Sequence, residues 1–134
     1  SSGDSMVEDT ITDGTRLAEL LSSELTGHEN PPFDRVGVAN ADPDVEPTTD
    51  GARAYDVQID GERVGAVYVM PDRARVELVD GLEAAEREAE QRGLRTRPVG
   101  AQPPRVVVFV ENGADAKDAF DVFGAAADAA SDRD

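Results

Sequence analysis

The sequence predicts an α+β fold of two layers, ordered α-β-β-β-α-β-β-α, with a mostly antiparallel sheet and helices packed on one of its faces. Three observations carry this. Tyr55, Val57 and Ile59 alternate with Asp56 and Gln58, and the turn pair Asp60-Gly61 leads into two more apolar stretches, as in a meander of half-buried strands. Leu17, Leu20, Leu21 and Leu25 form one apolar stripe at helical spacing. Finally, Val106–Val110 contains no polar side chain and runs through Asn112-Gly113 into a helical pattern: Ala116, Ala119, Phe120, Phe123, Ala126 and Ala127 on one face, Asp115, Asp118, Asp121 and Asp128 on the other. Such a strand is covered on both faces, or on one face with a partner over the other. A β-grasp-like arrangement of hairpin, helix and strands is the alternative.

In chain order, residues 1–14 read as a flexible segment that includes a tag remnant before Met6. A single domain follows over residues 15–130, and residues 131–134 should fray. Thr15 offers an N-cap to the first helix, Gly27 a stop, and Asn30-Pro31-Pro32 keeps the helix from resuming. Arg35–Ala39 is a short extra strand candidate. Ala41–Gly51, with Asp42, Asp44, Glu46 and Asp50 among two prolines, reads as an exposed loop. Strands are expected around residues 55–59, Val64–Met70 and Arg73–Val79. Asp80 and Glu83 have capping-box spacing ahead of a helix closed by Gly93. Arg95–Val99 is the next strand, Gly100–Pro104 a turn, and the Val106–Val110 strand and final helix complete the chain.

Composition bounds the chemistry. With no cysteine in 134 residues, disulfides, thiolate metal sites and cysteine nucleophiles are excluded. No apolar run approaches membrane-spanning length and nothing has a signal-peptide pattern, which predicts a cytoplasmic protein without a membrane partner. Twenty-nine acids against thirteen bases give a net charge of −16, and Lys117 is the only lysine. This composition resembles that of halophilic, haloarchaeal proteins. Carboxylates hold water and cations against concentrated salt, where a Debye length of about 3 Å at about 1 M nearly cancels their repulsion.

The order of elements over roughly Tyr55–Ala130 resembles the secretion-chaperone-like fold of YjbR/MmcQ-like proteins. There, as here, a hairpin leads to a strand, a helix ending in glycine, and a hydrophobic strand before the last helix. That family places a tryptophan near the start of the last strand and a Ser-Tyr pair in the last helix. This chain has Arg105-Val106 and alanines there, so no functional residue is carried over.

Gln91–Val110 is the one stretch that departs from the overall charge. It holds Arg92, Arg95, Arg97 and Arg105 and no acid. Guanidinium forks grip phosphate or carboxylate bidentately, so these four are candidates for anion or nucleic-acid binding. Ion pairing with neighbouring acids is the plainer role. Along the chain they lack the aromatic interleaving of a nucleic-acid surface. Tyr55 and Tyr68, expected to face each other across the hairpin, and Phe120 and Phe123 on the final helix are candidates for an interaction face. Asp42, Asp44 and Glu46 carry alternating carboxylates without the glycine or terminal glutamate of a calcium loop, so no metal ligand is assigned. His28 is the only histidine and reads as exposed or capping, which excludes multi-histidine metal sites. Nothing forms a catalytic constellation and no cofactor is implied. The expected function is a non-enzymatic binding domain engaging a protein partner or a second copy of itself. The alternative is a small anion- or nucleic-acid-binding regulator.

Overall fold

A computed structural model describes residues 13–27, 33–100 and 104–132. The expectations for the N-terminal segment, for His28 and the Asn30-Pro31-Pro32 break, and for much of the Gly100–Pro104 turn lie outside the described residues. Among the described residues, three helices lie against a six-stranded antiparallel sheet. The elements are α1 (Gly14–Thr26), a 3-10 turn (Phe33–Arg35), β1 (Val36–Ala39), β2 (Ala52–Ile59), β3 (Glu62–Met70) and β4 (Arg73–Leu78). Then come α2 (Leu82–Gln91), β5 (Arg95–Val99), β6 (Arg105–Val110) and α3 (Gly113–Asp132). The spatial order is β1-β2-β3-β4-β6-β5, so α2 carries the chain past β6 to the far edge before β6 returns beside β4. This is the predicted α+β order, with the extra strand candidate present as edge strand β1.

The hydrophobic pattern explains the layering. Leu17, Leu21 and Leu25 of α1 are all at most 1 % exposed and meet Val67, Val69, Val76 and Leu78 in one core. Tyr55 joins them, donating from its hydroxyl to the Ala18 carbonyl at 2.7 Å. Burial pushes the Tyr55 hydroxyl pKa well above its ordinary value. On β6, Val106, Val108 and Val110 face the helices. Helix α3 runs between α1 and α2, and its alanines let both neighbours approach. Where α2 begins against α3, Gly81 sits at φ 64, and a Cβ there would meet Ala126 at 3.0 Å.

Several local expectations change. Asp13, not Thr15, caps α1, its carboxylate accepting from the Arg16 amide at 3.1 Å. The Asp80/Glu83 capping box does not form. Left-handed Gly81 takes the N-cap position, and the Asp80 carboxylate accepts from the Gly81 amide at 2.9 Å. Asn112 is more than a turn residue, for its side-chain oxygen accepts from the Asp115 amide at 2.9 Å and starts α3. Asp60-Gly61 holds positive φ at both positions, 54° and 83°, as the hairpin requires. Tyr55 and Tyr68 do not face one another. Tyr55 pairs with Val67 and Tyr68 with Arg53, on opposite faces of the sheet.

Candidate anion-binding face

The helices cover one face of the sheet, and the register determines what the other face carries. Strict alternation along β2 would put Arg53 and Tyr55 on the same side. The ladder shifts between them, leaving Ala54 as an extra residue in β2. Tyr55 therefore turns to the helices, while Arg53 and Asp56 share the opposite face although they lie three positions apart. From there the pairing runs straight across the sheet: Arg53 opposite Tyr68, Tyr68 opposite Arg75, Arg75 opposite Phe109, and Phe109 opposite Arg95. Five strands thus line up guanidinium, aromatic ring, guanidinium, aromatic ring, guanidinium. At strand spacings of about 4.8 Å the row is about 19 Å long. The Arg75 guanidinium lies 4.7 Å from the Tyr68 ring centre and the Arg95 guanidinium 5.9 Å from that of Phe109, both within cation–π range.

Beside this row, Met70, Arg75, Glu77, Arg97, Val99, Arg105, Val107 and Phe109 line a shallow depression of about 490 Å³. Glu77 among them lies 2.9 Å from Arg75 Nε and 3.5 Å from Arg105 Nε. Arg75 also donates to the Asp50 carbonyl at 2.9 Å. Arg73 and Arg95 both reach Glu111, at 3.7 and 3.1 Å. Toward the other end, buried Asp56 accepts from Asn40 at 2.9 Å and from Arg63 at 3.2 Å, with Arg53 at 3.5 Å. Burial works to raise the Asp56 pKa, but these hydrogen bonds and the Arg53 and Arg63 charges outweigh it and hold the carboxyl below its ordinary value. Arg97 is exposed and has no ion pair or hydrogen bond among the described residues.

Seven arginines (53, 63, 73, 75, 95, 97 and 105) thus point away from the helices, against Asp56 and Glu77 on the same strands. With Glu111, which pairs with Arg73 and Arg95, that is a face of +4 on a chain of −16. A family model matches residues 6–134. The chain belongs to DUF7993, a family of unknown function. No curated protein and no solved structure matches it.

In this DUF7993 chain the residues singled out by sequence fall into two groups. Arg95, Arg97 and Arg105 lie on the open face, and Tyr68 is on the same face two strands away from Arg105. Arg92 does not join them. It lies on the helical side, 2.6 Å from Glu88, 3.3 Å from Asp118 and 3.1 Å from Asp121, and clamps α2 to α3. Tyr55, Phe120 and Phe123 are 4 %, 8 % and 0 % exposed and belong to the core; Phe120 also stacks on Phe33 at 3.8 Å. The small residues of α3 meet helices of the same chain. In the acidic loop the Asp42 carboxylate accepts from the Asp44 amide at 2.9 Å. Among the described residues no group of three or more His, Asp or Glu could hold a metal ion, and no helix is long and apolar enough to cross a membrane.

Reading along the sequence missed Arg53, Arg63, Arg73, Arg75 and Phe109 as members of this face. The aromatic interleaving absent along the chain exists across it. The signal was one outward arginine or aromatic per strand, and it becomes visible only once five strands are placed in register.

Proposed function

We propose that this DUF7993 domain is a non-enzymatic binding module whose open sheet face engages an anionic partner. The observation that carries the reading is the segregation of charge: seven of the twelve arginines collect on the face the helices leave uncovered, in a chain of −16. Ion pairing within the face accounts for only part of this, since Asp56, Glu77 and Glu111 together meet six of the seven arginines and Arg97 meets none. The apolar floor supports a partner too. Val107 and Phe109 lie on the uncovered side of β6, and Phe109 is partly exposed. A second copy docked sheet to sheet would oppose two faces of +4, so the homodimer reading loses ground to an anionic partner.

The remaining surface carries the acidic excess, and we read it as an adaptation to a salt-rich, haloarchaeal cytoplasm. Screening there weakens long-range attraction and leaves recognition to short-range contacts.

Calorimetric titration with inorganic polyphosphate over a series of KCl concentrations tests it. Binding should weaken linearly in log affinity against log salt, and Arg97→Gln should lower that slope by about one. Absence of binding at every salt, or a slope unchanged in Arg97→Gln, would contradict the reading.

A further inference from the structure

We propose that the anion taken by the open face is single-stranded nucleic acid, with bases stacking along the row Arg53–Tyr68–Arg75–Phe109–Arg95. The inference rests on the reading of that face as an anion-binding surface and adds what the register contributes to it. Charge alone would suit any polyanion. The alternation of side chains is more selective: two aromatic residues and three arginines take directly opposed positions across a broad sheet, Arg75 and Arg95 lying over the Tyr68 and Phe109 rings, which both stay partly exposed. Aromatic and guanidinium faces are the groups on which unpaired bases stack, and the backbone phosphates of such a strand need cations alongside.

Arg97, one same-face position from the row, and Arg105 and Arg63, two positions from it on the same side, supply them. Arg97 is opposite Val107, Arg105 opposite Val99, and Arg63 opposite Gln58. A duplex hides its base faces and would meet the sheet only through phosphates. That contribution is the one concentrated salt erodes most steeply, whereas stacking persists. An acidic protein segment would satisfy the arginines but leave the alternation of rings without a purpose. The row is long enough for a few nucleotides, and the depression beside it, about 490 Å³ and floored by Val99, Val107 and Phe109, accommodates an unstacked base or a sugar edge.

Fluorescence anisotropy on the full chain in KCl tests this with four probes: labelled oligothymidylate, the same strand annealed to its complement, heparin and polyglutamate. Oligothymidylate should bind more tightly than its duplex. Tyr68→Leu and Phe109→Leu should each weaken oligothymidylate binding about tenfold, a larger loss than either causes for heparin. Circular dichroism checks that both variants fold. Arg97→Gln, at an exposed position the fold does not depend on, should weaken oligothymidylate and heparin alike. Equal binding of single strand and duplex, or leucine variants that bind oligothymidylate as well as the parent, would overturn the stacking inference while leaving an anion-binding face. Polyglutamate binding more tightly than oligothymidylate would overturn it in favour of an acidic protein partner. Failure of all four probes to bind would remove the anion-binding reading as well.

Discussion

The Arg75 guanidinium lies 4.7 Å from the centre of the Tyr68 ring, and the two residues are direct partners across β3 and β4. Arg75 also reaches the Asp50 carbonyl and Glu77. Arg75→Gln removes all three interactions and leaves the half-buried Glu77 with Arg105 alone. It should destabilise the fold by about 1–2 kcal/mol, measured by denaturant unfolding in KCl. Arg75→Lys should recover only part of the loss, because an ammonium keeps the charge without the planar fork.

A second prediction concerns the join between α3 and the 3-10 turn. A Cβ on Gly124 would meet the Phe33 ring at 2.6 Å, and Phe33 stacks on Phe120. Gly124→Ala should therefore destabilise by about 1–3 kcal/mol through overpacking, exceeding the roughly 1 kcal/mol that alanine gains in a helix. In a Phe33→Ala background the obstacle is gone. There Gly124→Ala should become stabilising, and the sign reversal in a double-mutant cycle of thermal unfolding is the check.

How much of this was legible in the sequence depends on whether a feature is local. Alternation at 55–59, the Asp60-Gly61 turn and the helical stripes specify their elements directly, and with them the layering. The shared side of Arg95, Arg97 and Arg105 follows from pairing two strands. The row of Arg53, Tyr68, Arg75, Phe109 and Arg95 does not, because it depends on four ladders at once and on the extra residue at Ala54. Without that bulge, Arg53 would point toward the helices with Tyr55. The fate of α3 was ambiguous for a similar reason. An alanine-rich face fits a neighbouring helix from the same chain or from another, and only the packing of α1 and α2 around it decides.

Acidity should act on stability in two opposite senses. Burial raises the Asp115 pKa, the Glu111 amide offsets part of this, and the Glu111 and Asp118 charges add to it. Burial likewise raises Asp121, with Arg92 opposing and Glu88, Asp118 and Glu24 adding. For both, protonation favours the folded state: their contribution is fully present below the unfolded value near 3.8 and lost as pH rises through the raised folded values. Asp56 is depressed, so its contribution is present above the unfolded value and lost as pH falls through the folded one. On acidification from neutral pH, denaturation midpoints in concentrated KCl should first rise and then fall. Asp115→Asn should raise the midpoint at neutral pH and flatten the initial rise.

Arg92 separates structure from binding. Its contacts with Glu88, Asp118 and Asp121 lie on the helical side, away from the arginine face. Its side chain is 36 % exposed, so Arg92→Gln should cost no more than about 1 kcal/mol, read as a lowered unfolding midpoint. Polyphosphate affinity should be the same as in the parent. A matched loss of affinity would place the binding surface on the wrong side of the sheet.

The most direct measurement is the NMR response of the aromatic rings to oligothymidylate in KCl. Stacking on the row predicts upfield shifts of the Tyr68 and Phe109 ring protons, accompanied by the amides of Arg95 and Arg97, while Phe120 and Phe123 in the core stay fixed. Shifts confined to the helical layer, or unmoved Tyr68 and Phe109 rings at saturating oligothymidylate, would contradict a nucleic-acid platform on this sheet.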